Sequence, residues 1–167
     1  PSCCCSVSTV LLQALSSALA IASSSSSIVL SIGCGSGILE ALLLVWLQKQ
    51  SSQGDIATIL GVEVIGKEVT ALQPEEVVHV PGTWATCELA RQASAWLFVY
   101  PREPGLLKRY LDEYGHGDIR KIVWLGPKVD WSAFVDVVGE IEGWDAPDVT
   151  EDCGAAEYEM LVVIQKP

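Results

Sequence analysis

Cations are scarce in this 167-residue sequence, where 10 Lys and Arg stand against 21 Asp and Glu for a net charge of −11. That balance argues against a nucleic-acid backbone as the main partner, since such binding rests on Lys and Arg displacing counterions. An anionic membrane surface is disfavoured for the same reason. No apolar run approaches the ~20 residues that a membrane span requires. The six cysteines include no C-x-x-C pair and the chain has two histidines, so a structural zinc site has no support and no metal is expected. A disulfide framework is equally unsupported, because half of the residues are hydrophobic and can build a core without one. A reducing, cytoplasmic setting is therefore expected. Cys3, Cys4 and Cys5 could carry palmitate, but a disordered terminus over residues 1–6 is the simpler expectation.

Charge is also unevenly placed. Residues 1–39 carry none, and the first basic residue is Lys49. The apolar stretch over residues 10–22 ends in Ala20-Ile21-Ala22, which imitates a signal-peptidase site, yet no Lys or Arg precedes it. An amphipathic helix over residues 7–22 is preferred, with Val10, Leu11, Ala14, Leu15, Ala18, Leu19 and Ala22 on its buried face. Ser23 to Ser27 then form a short linker. Residues 130–159 hold ten acidic residues and no basic one, which predicts a solvated face, or one that meets a basic partner.

Beyond the linker, strand and helix patterns alternate. The β-branched run Ile28–Ile32 predicts a buried strand, and residues 38–48 an apolar helix. Further strands are expected over 57–64, 77–80, 96–100, 119–125, around Val149 and over 159–165. Helices are expected over 65–72, 88–95, 105–114 and 131–141. The length suits one domain, with its core over 28–167. Alternation of this kind implies an α/β three-layer sandwich: a mostly parallel, seven-strand-type sheet with an antiparallel C-terminal strand.

Ligands of such sheets sit at the carboxyl ends of the strands. There the first strand runs directly into Gly33-Cys34-Gly35-Ser36-Gly37. Glycines allow close backbone approach, and the helix that follows aims free N–H groups into the same space. A dinucleotide fingerprint would place its third Gly at position 38, so a nicotinamide reading is disfavoured. A Walker phosphate loop is absent.

These residues resemble the first motif of the class I S-adenosylmethionine-dependent methyltransferases, a hydrophobic strand leading into G-x-G-x-G. Glu63, after a second strand, resembles that family's second motif. The resemblance implies S-adenosylmethionine as cofactor, held by Gly33, Cys34, Gly35 and Gly37, with Glu63 and its neighbour Val64 at the ribose. It places Thr83 and Trp84 near the adenine, and Tyr100, with Pro101 and Arg102, at the methyl acceptor. Tyr100 counts toward the cofactor as well. The implied activity is methyl transfer to a small molecule or a protein, with no catalytic base singled out and a homo- or heterodimer left open. Ser31 and Thr83 stand where the family commonly has acidic residues. This motivates an alternative, a non-catalytic methyltransferase-like binding or heterodimer partner.

Plainer readings compete at each position. Glu63 could be an ordinary strand-end carboxylate, and Cys34 a small filler of the turn instead of a nucleophile. Trp84 could be a core or surface residue. His79 reads as a core histidine, His116 as a loop residue, and the six tryptophans mostly as core or pocket wall.

Overall fold

The computed structural model describes residues 5–19, 27–50, 58–139 and 141–167. Seven strands form one sheet: β1 Ile28–Ile32, β2 Thr58–Val64, β3 Val77–Val80, β4 Ala95–Val99, β5 Lys121–Pro127, β6 Asp148–Thr150 and β7 Glu159–Gln165. Their spatial order is β3-β2-β1-β4-β5-β7-β6. Neighbours from β3 through β5 pair in parallel. The last strand, β7, runs antiparallel to both β5 and β6.

Helices α1 (Thr9–Leu19), α2 (Ile38–Gln50), α3 (Pro104–Tyr114) and α4 (Lys128–Gly139) complete the layers. α1 and α2 cover one face of the sheet, over Val29, Ile59, Ala95, Leu97, Val123 and Leu161. α3 and α4 cover the other, which is the aromatic face. There Trp96, Phe98, Tyr110, Trp124 and Phe134 are fully buried, and Tyr110 meets Trp96 and Phe98 edge to face with ring centroids 5.6 and 5.9 Å apart. Sheet and helices make the expected α/β three-layer sandwich.

Several expectations are corrected. Residues 65–72 form turns and bends instead of a helix. Gly66 takes a positive φ of 86°, and Val69 and Leu72 are spent on packing against Gly37 instead of on a helical face of their own. The α1 face is rotated: Val10 is exposed, and Leu12 joins Leu11, Leu15 and Leu19 in the core. Cys5 is buried beside α1, so the expected disorder over 1–6 does not extend to it. His79 is exposed, not a core residue, because β3 is an edge strand. Residues 88–91 make only a 3-10 turn. α4 begins directly at the end of β5, three residues earlier than expected. The expectations for residues 1–4, 20–26 and Ala57 lie outside the described residues. Of the tryptophans, Trp96 and Trp124 are core, Trp46, Trp131 and Trp144 are half-buried, and Trp84 is exposed.

β1 has β2 on one side and β4 on the other. The chain order therefore reverses at β1, and a crevice opens outside its carboxyl end.

Candidate functional site

The glycine turn leaves β1 at that switch point. Gly33, Gly35 and Gly37 all adopt positive φ, at 76°, 58° and 76°. Their surroundings separate them. Among the described residues, its chain neighbours aside, a Cβ on Gly33 or Gly35 would meet no atom within 4 Å. A Cβ on Gly37 would lie 2.7 Å from Leu72 Cγ and 2.9 Å from Val69. Two glycines thus leave an open cradle in front of the turn, whereas the third is consumed by internal packing.

Glu63 closes the turn from the side of β2. One carboxylate oxygen accepts from Gly35 N–H and the other from Val64 N–H, both at 2.8 Å. Cys34 fills the space between turn and sheet: a Cβ on Gly61 would sit 2.6 Å from its Sγ. Burial, with the carboxylates of Glu40 and Glu63 adding to it, pushes the Cys34 thiol up to about 12. It is a neutral packing group, since the thiolate is the nucleophile.

Glu40, in the first turn of α2, is the residue that sequence reasoning missed. It is only 1% exposed, and one of its oxygens accepts from Ser31 Oγ at 2.5 Å. Its other oxygen is buried without a partner among the described residues. A carboxylate absent from Ser31 itself is therefore delivered to the same place by α2. The available signal was a lone Glu in an otherwise apolar helix start. Burial raises its carboxyl above the ordinary range, Glu63 raises it further, and the Ser31 hydroxyl and its own backbone N–H oppose the shift. A carboxyl raised by folding favours the folded state at low pH, and that contribution is lost as pH rises from about 4.3, the unfolded value. Glu40→Gln cannot ionise. Its melting temperature is expected to gain on the parent's as pH rises through that window, and a difference constant with pH in parallel thermal melts would refute the assignment.

The turn at 81–84 follows β3, whose Val80 pairs with Val64 beside Glu63. Thr83 is exposed, and the exposed Trp84 ring lies over Gly82, where a Cβ would be 2.3 Å from it. Tyr100, Pro101 and Arg102 follow β4 on the other side of the glycine turn, with Arg102 exposed. Gly33, Cys34, Gly35, Glu63, Val64, Thr83 and Trp84 thus share one end of the sheet. Tyr100 shares that end, but its hydroxyl is directed elsewhere, donating to Glu159 at 2.6 Å. Its φ of 50° is costly for a bulky residue, of the order of 1–3 kcal/mol. Burial, and then Glu159 and Tyr158, raise the Tyr100 phenol well above its ordinary range. His116 lies in a turn at the opposite end of the sheet, after α3. Among the described residues no group of His, Cys, Asp and Glu is placed to hold a metal.

No family model matches the chain, and no curated protein does. Solved structures do. The methyltransferase domain of bacterial CtHen1-C is 12% identical, with 93% of this chain and 97% of that one covered and a TM-score of 0.62. Sp1610 of Streptococcus pneumoniae, solved in complex with S-adenosyl-L-methionine, is 17% identical, with 96% and 73% covered and a TM-score of 0.60. Ribosomal protein L11 methylase of Lactobacillus delbrueckii subsp. bulgaricus is 13% identical, with 94% and 76% covered and a TM-score of 0.56. The chain has the class I S-adenosylmethionine-dependent methyltransferase fold.

Proposed function

We propose that this protein binds S-adenosylmethionine at the glycine turn and transfers its methyl group to a small molecule or a protein. The observation that carries the reading is the Gly35–Glu63 contact beside an open cradle. The residues fit the cofactor in three ways. Gly33 and Gly35 leave room for close approach. Glu63 is acceptor-only when ionised, and its carboxylate keeps lone pairs for two ribose hydroxyls. Trp84 offers an exposed aromatic face for the adenine.

The cofactor, when bound, supplies a methyl group already activated by the positive sulfonium. The chain's own task is positioning. The glycine turn and Glu63 fix the donor, and the Tyr100-Pro101-Arg102 turn lies where an acceptor would be aligned; alignment alone can supply much of the rate. Isothermal calorimetry with S-adenosylmethionine and S-adenosylhomocysteine tests the reading, and a folded protein that binds neither would end it.

A second reading, a non-catalytic binding or heterodimer partner, is favoured by the end of β4. That end offers no Asp or Asn to accept from an amine, and its one hydroxyl is engaged by Glu159. Cofactor binding without turnover over a broad acceptor panel would favour it.

Nucleic acid is not among the proposed partners. Of the ten carboxylates in residues 130–159, eight are exposed, and Lys128 pairs with one of them, Glu151, at 2.7 Å. No measurable affinity for duplex DNA or RNA is expected near ~150 mM salt. Micromolar binding in a polarisation assay would contradict this.

A further inference from the structure

Among the described residues Tyr100 is the one non-glycine residue with a positive φ. It stands just beyond β4, whose Phe98 pairs with Ile32 of β1. The chains leaving the two strands therefore part side by side, one as the glycine turn and the other as the Tyr100 turn. Such a backbone conformation persists where its surroundings over-determine it.

The partner that holds Tyr100 is unusual. Glu159 opens β7 and is fully buried. Its Oε1 accepts the Tyr100 hydroxyl at 2.6 Å. Its Oε2 accepts Ala156 N–H at 2.7 Å. Ser6 N–H lies 3.3 Å from both oxygens. Three segments distant in sequence therefore meet on one carboxylate: the turn after β4, the loop before β7 and the stretch that leads into α1. Ser8 strengthens the last of these, donating its hydroxyl to Gly154 O and capping α1 through Leu11 N–H. A buried carboxylate is tolerated only while its lone pairs are satisfied. Loss of one donor therefore weakens the site that the other donors share.

We propose that Glu159 is a positioning residue that locks the Tyr100 turn and residues 5–8 into one unit on the acceptor side of the glycine turn, so that the two segments order and loosen together. The acceptor-side role rests on the methyltransferase reading above, whereas the locking does not. Residues 5–8 then form part of the wall that an acceptor meets, although they stand more than ninety positions from Tyr100 in the chain.

Amide hydrogen exchange read by mass spectrometry on the full chain tests the coupling. Tyr100→Phe is expected to speed exchange at Ser6 at least tenfold, through the Glu159 carboxylate that both contact. Amides at 161–164 in β7 should keep the parental rate. Glu159→Gln should loosen residues 5–8 and 100–103 together. In Glu159→Gln the dissociation constant for S-adenosylmethionine should stay within threefold of the parent's. Parental exchange at Ser6 in Tyr100→Phe overturns the proposal, as does uniform loosening that includes 161–164. Should Glu159→Gln not fold, the Tyr100→Phe result decides alone. A tenfold loss of cofactor affinity in Tyr100→Phe would assign Tyr100 to the cofactor pocket and overturn the acceptor-side role. A parent that binds no S-adenosylmethionine removes that role together with the methyltransferase reading, and the exchange result still decides the locking.

Discussion

Gly35→Val is expected to abolish S-adenosylmethionine binding while leaving a folded protein. The backbone at Gly35 sits at φ 58°, where an L-residue pays about 1–2 kcal/mol and a β-branched one fits worst. Among the described residues, the chain neighbours aside, no atom lies within 4 Å of the position that a Cβ would take. The added Cβ therefore meets open space and projects into the cradle, where the cofactor would come closest to the backbone. Its N–H still reaches Glu63, so the turn keeps its tie to β2. Gly37→Val would not make the same test, because its Cβ would strike Leu72 and Val69 and disturb the 65–72 segment. Calorimetry should show no heat of binding for Gly35→Val at cofactor concentrations that saturate the parent, with thermal melts lowered by only a few degrees. A folded variant of parental affinity would remove the glycine turn from the site.

The parts of this fold that were legible in the sequence are those where a local pattern and the tertiary environment agree. Ile28–Ile32 and Glu159–Gln165 were bounded correctly because both are β-branched or apolar runs that end up buried on both faces. The glycine turn is legible as glycines between a strand and a helix, and Glu63 was indicated only by the family resemblance; the pairing of β1 with β2 brings the two together. Three features were not. Residues 65–72 carry apolar residues at helical spacing, yet a glycine with positive φ and the demands of Gly37 packing override it. Glu40 stands as a lone acid in an apolar helix start, and only the fold reveals that it faces Ser31. Glu159 begins a convincing strand, which says nothing about a Tyr hydroxyl 59 residues away and an amide 153 residues away converging on it. Buried polar partnerships of high sequence separation leave no periodic trace, and both buried carboxylates flank the candidate site.

Glu63→Ala is expected to weaken S-adenosylmethionine binding by about 10- to 1,000-fold. Hydrogen bonds to a charged acceptor are worth roughly 1.5–3 kcal/mol each, and 1.4 kcal/mol is one decade of affinity. The carboxylate has two tasks that the substitution separates. In the free protein it accepts from Gly35 and Val64 N–H, at 2.8 Å each. In the proposed complex it also accepts from the ribose hydroxyls with its remaining lone pairs. The first task contributes to stability, and because water reaches the freed amides its loss should cost only about 1 kcal/mol. The second contributes to affinity alone. Glu63→Gln separates them further, since its amide oxygen can still accept from Gly35 while one ribose acceptor is replaced by a donor. It should melt close to the parent and bind more weakly than the parent by at least tenfold. Equal affinity in parent and Glu63→Ala would show that the cofactor, if bound, lies away from β2, and the ribose assignment would fall even with the fold unchanged. Absence of binding in the parent would instead give the lead to the non-catalytic reading, with Thr83 and the Tyr100–Glu159 engagement as the departures that explain it.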